Sequence, residues 1–277
     1  MDLVASTRGV RVAVHDLGGT GPPILFGHAT GFCGLAWRPV AQELVDHHSV
    51  ALDFRAHGRS SRPVDGDLDW RGAAEDLLAV VDALGLGGSV GVGHSMGGAA
   101  LLLAEQSRPG TFSALWLYEP IVMTAAMRDG LGGDNPLAEA AARRRRRFPS
   151  ARAAFENFAS KPPLDVMTRE SLEAYVEGGF ETLEDGSVSL RCRPEDESET
   201  FRMGPTHDAG EHLADVTCPV TVVKGRDEPG PAMFADEVAG ALPHGRLVQM
   251  PTLGHFGPME DPGAAAESIR SAMAGSA

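Results

Sequence analysis

Short apolar runs recur along the chain, each closed by Gly, Pro or Asp, with helical stretches between them. Val10–Val14 alternates and reads as a strand near a sheet edge. Ile24–Phe26, Val50–Leu52, Val90–Val92, Ala114–Tyr118, Val220–Val223 and Leu247–Met250 are continuous instead. Continuous runs suit strands covered on both faces, as in a parallel sheet. Between them, Ala73–Leu84 places Ala73, Leu77, Val81 and Leu84 on one helical face and stops at Gly85. Met96–Gln106 is rich in Ala and Leu, Pro231–Leu242 has Pro in its first turn, and Asp261-Pro262 supplies a cap and a first residue for a last helix. Strand alternating with helix predicts an α/β architecture with a mostly parallel, doubly wound sheet.

One interval breaks that rhythm. From Ile121 to Gly210, about 90 residues carry helical stretches and no convincing buried strand, far too long for a crossover. An inserted helical subdomain over 121–210 is expected, with the core formed by 1–120 and 211–277. Its helices are predicted over Pro136–Phe148, Ser150–Phe158 and Thr168–Gly178.

Composition narrows the function. Among 277 residues, 43% are hydrophobic and 22% charged, so the chain can bury a core and is not intrinsically disordered. No run of about 18 apolar residues exists to span a membrane. The formal charge of −14 repels nucleic acid and anionic lipid, so neither is expected as a partner. Arg143–Arg147, a run of five arginines, then reads as a solvated helix face pairing with acids such as Glu139. Acid-rich Glu181–Glu199 reads as a mobile surface hairpin. Cys33, Cys192 and Cys218 are widely spaced and odd in number, which fits reduced structural thiols in a cytoplasmic protein. The first ten residues hold no apolar signal core. No histidine pair has metal-ligand spacing, and no metal is expected.

Gly93-His94-Ser95-Met96-Gly97 carries the chemistry. This GxSxG lies directly after an apolar strand and directly before an Ala/Leu helix. A serine on so sharp a turn needs small neighbours two residues away, and the helix N-terminus offers partial positive charge to a nascent oxyanion. A serine hydroxyl is inert without a base. His255 follows the last strand beside a glycine, at the same end of the sheet as Ser95. The base needs an acid to hold its tautomer. Glu228, Asp227 and Glu119 all follow strand ends and all satisfy the order serine, acid, histidine. The loop Gly27–Phe32 follows the strand Ile24–Phe26, so the amides of Thr30 and Met96 are the expected oxyanion donors. His28 is expected to tie that loop down. Phe32, Trp37 and Phe256 are candidates for the substrate pocket.

These motifs, in this order, resemble the α/β-hydrolase superfamily over essentially the whole chain. The residues that carry the resemblance are His28–Phe32, Asp53–Ser60, Gly93–Gly98, Gly225–Pro229 and Gly254–Phe256. The resemblance implies an eight-stranded sheet, a helical cap inserted after the sixth strand, a Ser-His-acid triad and no cofactor. It also selects among the acids: a turn Gly followed three residues later by an acid and then Pro is the usual placement, which favours Glu228. Asp53 and Arg55 read as a structural turn. Ala29 and Ala56 stand where the family usually has Gly. Ser95 argues against haloalkane dehalogenase and epoxide hydrolase chemistry, which uses Asp at that position. The expected function is cleavage of small to medium carboxylic esters through an acyl-enzyme. Lactone or carbon–carbon bond hydrolysis on the same triad, perhydrolysis as a side reaction, and a non-catalytic ligand-binding protein of the same fold are the alternatives.

Overall fold

The computed structural model describes residues 2–124 and 135–275. Eight strands form the main sheet: β1 (Asp2–Ala5), β2 (Arg11–Gly18), β3 (Pro23–Gly27), β4 (His48–Leu52), β5 (Ser89–His94), β6 (Phe112–Tyr118), β10 (Val220–Lys224) and β11 (Gly245–Gln249). Their spatial order is β1-β2-β4-β3-β5-β6-β10-β11, and only the pairings of β2 with β1 and β4 are antiparallel. The central strands are buried along their length, as continuous apolar runs require. From β3 the chain crosses to β4 on one side and later to β5 on the other. In an open α/β sheet such a reversal, here at the carboxyl ends of β3 and β5, is the usual place for a ligand.

Helices cover both faces. Helix α2 (Trp70–Leu84) is capped by the Asp69 side chain on the Arg71 amide and ends at left-handed Gly85. It packs with α3 (Met96–Ser107) against one face of the sheet. On the other face lie α1 (Arg38–Glu43) and the terminal α10 (Pro262–Ala274), which Asp261 caps. The predicted helix Pro231–Leu242 is split into a 3-10 turn over Pro231–Phe234 and α8 (Ala235–Ala241). A short α9 (Gly257–Glu260) follows the last strand. Cys33, Cys192 and Cys218 are buried free thiols. Among the described residues, no helix is long and apolar enough to cross a membrane.

Between β6 and β10 the chain departs from the expected purely helical insertion. It holds α4 (Pro136–Ala142), α5 (Ala151–Ala159), α6 (Arg169–Gly179) and α7 (Pro194–Met203). It also holds a three-stranded antiparallel sheet, β7 (Arg147–Phe148), β8 (Phe180–Thr182) and β9 (Val188–Leu190), in the order β7-β9-β8. Residues 125–134 of the interval lie outside the described residues.

The arginine run does not form a helix face. Helix α4 stops at Ala142, and Arg147 already belongs to β7. Like charges three and four residues apart repel on a helix, and leaving it sends each arginine to its own partner. Arg143 meets Glu139, Arg146 donates to Ser189 Oγ, and Arg147 pairs with Asp185. The acid-rich stretch corrects in the same way. Only Phe180–Leu190 is a hairpin, and Pro194–Met203 is a helix with three acids in its first turn. Acids there complement the partial positive charge of the helix start, and Pro suits its first position.

Candidate active site

Ser95 sits between the end of β5 and the start of α3, at φ 55° and ψ −115°. Left-handed backbone at a non-glycine residue costs about 1–3 kcal/mol, and such strain concentrates at functional turns. Two contacts hold it. The Ser95 amide donates to the Tyr118 carbonyl at 3.0 Å, and Gly97 lies against the backbone of Gly27 at the end of β3. A Cβ at Gly97 would overlap the Gly27 carbonyl, so only glycine lets the first turn of α3 meet the neighbouring strand end.

His255 is reached from β11 through a turn pinned on several sides. The Gly254 amide is bound by the Glu260 carboxylate, and the Gly254 carbonyl accepts from Tyr118 Oη at 2.7 Å. Burial and the nearby Glu119 carboxylate push the Tyr118 phenol up from its ordinary pKa, so it stays a donor. The His255 ring centroid lies 4.7 Å from that of His94, the residue before Ser95. Burial holds the His94 imidazole well below its ordinary pKa, and His255 beside it adds to the effect.

The acid favoured from the turn pattern, Glu228, is not the one at His255. Nδ1 of His255 lies 2.6 Å from Oε2 of Glu119, whose other oxygen, Oε1, accepts from the Gly225 amide at 2.9 Å. Glu119 is only 3% exposed and has φ 42°, left-handed backbone at a non-glycine residue as at Ser95, one strand away. Glu228 is 46% exposed and bound to Arg226, while Asp227 is 71% exposed and bound to Lys224 and Gln249. The reason is local. Two cations stand in the same turn and take up both acids, whereas Glu119 follows a strand buried on both faces.

The loop after β3 turns over Ala29–Phe32, with the Phe32 amide on the Ala29 carbonyl and Gly31 at φ 79°. His28 ties it down as expected. Nδ1 lies 2.7 Å from the Ala29 carbonyl, and Nε2 accepts from the Phe54 amide at 3.0 Å, so the ring carries its proton on Nδ1. Burial lowers its pKa to about 3. Thr30 and Met96 are neighbours, with Thr30 Oγ1 3.4 Å from the Met96 sulfur. Asp53 receives the amides of Gly34 and Arg59 and Nε2 of His15, and Arg55 pairs with buried Asp76, both structural arrangements.

Of the three pocket candidates, Phe32 and Phe256 are stacked at 5.6 Å, and Phe256 lies 5.5 Å from the His255 ring. Trp37 packs at 5.2 Å on the strand residue Phe26, wholly buried, and is not among the rings around His255. Residues of the interval between β6 and β10 join them. Tyr175 of α6 packs on Phe32 at 5.1 Å. Arg144 and Glu197 form an ion pair beside Gly31. Arg144 was hidden inside a run of like residues and Glu197 inside an acidic stretch, although the Pro194 start and the first-turn acids do signal a helix.

Residues 24–268 match the family model described as "Alpha/beta hydrolase family". The chain belongs to that family. Over 114 residues it is 32% identical to an epoxide hydrolase of Caballeronia sordidicola, covering 40% of this chain and 34% of that protein. Over 110 residues it is 34% identical to lipase LipV of Mycobacterium tuberculosis, covering 39% and 41%. A bifunctional esterase/perhydrolase of Acinetobacter calcoaceticus is 36% identical over 109 residues, covering 35% and 36%. The matches thus span well under half the length of these relatives. Solved structures align over nearly the whole chain. E-2-(acetamidomethylene)succinate hydrolase gives a TM-score of 0.79 at 21% identity, covering 98% of this chain and 97% of its own. A thermophilic esterase from Thermogutta terrifontis gives 0.72 at 22%, covering 99% and 98%. At these identities the structural likeness speaks for the fold.

Proposed function

We propose that this α/β hydrolase is a serine esterase acting on small to medium carboxylic esters, with Ser95 as nucleophile, His255 as base and Glu119 as the orienting acid. The observation that carries this is the 2.6 Å contact of His255 Nδ1 with a buried carboxylate that stands one strand from Ser95. Nδ1 is committed to Glu119, which leaves Nε2 to take the Ser95 proton as the hydroxyl attacks the ester carbonyl. The carbonyl oxygen becomes negative and rests on the amides of Met96 and Thr30. Losing one such donor costs about 3 kcal/mol of transition-state stabilisation. His255 returns the proton to the leaving alcohol, then activates water to release the acid. Glu119 stabilises the imidazolium in both steps. Residues 121–210 act as the cap, and Phe32, Tyr175 and Phe256 give the site apolar walls suited to short acyl or alcohol groups. The names of several relatives, a lipase and an esterase/perhydrolase among them, agree with ester chemistry.

A panel of p-nitrophenyl esters of rising acyl length tests the reading. Turnover is expected to peak at short chains. A fluorophosphonate should label wild type and not Ser95→Ala, and p-nitrophenyl acetate turnover by Ser95→Ala at the wild-type rate would overturn the proposal.

A further inference from the structure

His28 fixes the base of the loop after β3, and only the tip beyond it is lightly held by its own residues. The four-residue turn at its tip has one internal hydrogen bond, from Phe32 to Ala29, and glycine at its third position. Turns with glycine there exist in two forms that differ by a flip of the central peptide, here the one joining Thr30 to Gly31. The flipped form would reverse the Thr30 carbonyl beside the place where the substrate oxygen becomes negative.

Three side chains from the interval between β6 and β10 converge on this turn. Arg144 Nη1 donates to both oxygens of Glu197, at 2.7 and 2.6 Å, across 53 residues of sequence. Arg144 Nη2 donates to Tyr175 Oη at 2.6 Å. A Cβ at Gly31 would overlap Glu197 Oε1 and lie 3.3 Å from Arg144 Nη1, so the ion pair rests directly on Gly31. Tyr175 packs on the next residue, Phe32. Helix α7, which carries Glu197, is itself fastened to the core. Asp196 meets Arg62 at 2.7 Å, and the Thr200 carbonyl accepts from Trp70 Nε1 at 2.9 Å. Stability alone is a weak reason for such a pair, since replacing a buried ion pair by apolar residues is often neutral or better.

The geometry points to Arg144 and Glu197 as positioning residues that clamp the Ala29–Phe32 turn against a flip of the Thr30–Gly31 peptide, whose carbonyl dipole lies beside the proposed oxyanion position. This rests on the serine-hydrolase reading above. It makes oxyanion stabilisation conditional on the seating of α7 and of the arginine run.

The test uses Glu197→Gln, isosteric and uncharged, and the double variant Arg144→Met/Glu197→Met, which removes the pair without leaving a lone buried charge. For each, kcat and KM for p-nitrophenyl acetate are measured together with inhibition by phenylboronic acid, whose serine adduct is tetrahedral, and by acetate, the product. Misplacement near 1 Å in such a site costs about 100-fold, so a kcat loss of about 10- to 100-fold is expected, with KM within about twofold. Boronate affinity should fall by the same factor as kcat/KM, while acetate inhibition holds. A folded double variant with wild-type kcat and boronate affinity overturns the inference, as does a loss confined to KM in either variant. Wild-type protein that neither turns over esters nor binds boronate overturns the serine-hydrolase reading and this inference with it.

Discussion

Two turns at the carboxyl edge of the sheet lie side by side and differ in nearly everything that matters to an acid. The turn after β6 holds Glu119 in strained backbone, buried, between the Gly225 amide and His255. The turn after β10 holds Asp227 and Glu228 in water, matched to Lys224 and Arg226. The first spends backbone strain to fix one carboxylate against one imidazole. The second has more acids and fixes none of them on the histidine. A carboxylate held against an imidazole is therefore distinguished by desolvation and by the rigidity of its strand, and acidity of composition is no guide.

Mutation of the two turns should separate them widely. Glu119→Gln keeps an acceptor for Gly225 but offers an amide N–H to His255 Nδ1, which forces the wrong tautomer. A kcat loss of roughly 10³- to 10⁴-fold is expected from steady-state ester kinetics. Near-normal turnover would move the acid elsewhere.

Acid should weaken the fold through three buried histidines, His94 beside His255 among them. His28, His57 and His94 are buried, and burial lowers all three pKa values, His28 to about 3. Each folded value lies below the unfolded 6.5, so the unfolded chain binds more protons under that pH. Their contribution is complete above pH 6.5 and is lost as pH falls toward 3. His28 alone implies a loss of about 1 kcal/mol between pH 6.5 and 5.5, and His57 and His94 add to it in the same direction. Urea midpoints at the two pH values measure it, and a flat profile would show that these rings are not kept neutral by the fold.

The smallest effect belongs to the exposed turn. Glu228→Gln should change kcat by less than about twofold and stability by less than about 0.5 kcal/mol, read by the same ester assay and by urea denaturation. A large loss there would reinstate Glu228.

The same contrast explains what the sequence made legible. The interior strands were readable because burial on both faces leaves continuous apolar runs. Strand β1 was not, since Asp2–Ala5 is an edge strand with one buried residue. The small sheet β7–β9 was missed because strands of two and three residues leave no period to read. Ser95 and His255 stood out by their place beside strand ends. The acid did not, because order along the chain fits all three candidates and only neighbours in space decide. One sign was present: Glu119 follows a strand with no cation beside it, whereas Asp227 and Glu228 are interleaved with Lys224 and Arg226. Between 121 and 210 the inward-facing charges were not legible, since a buried ion pair and a surface one use the same letters.

The contact of Gly97 with Gly27 has a consequence for how evenly this enzyme can age or be altered. Helix α3 is set against strand β3 by backbone touching backbone, with no side chain between them to change rotamer or be trimmed by mutation. The Met96 amide inherits that spacing. Its place should therefore drift little when the surrounding core is repacked, whereas the Thr30 amide, hung on a turn, would be the half of the proposed oxyanion pair that selection or design can tune.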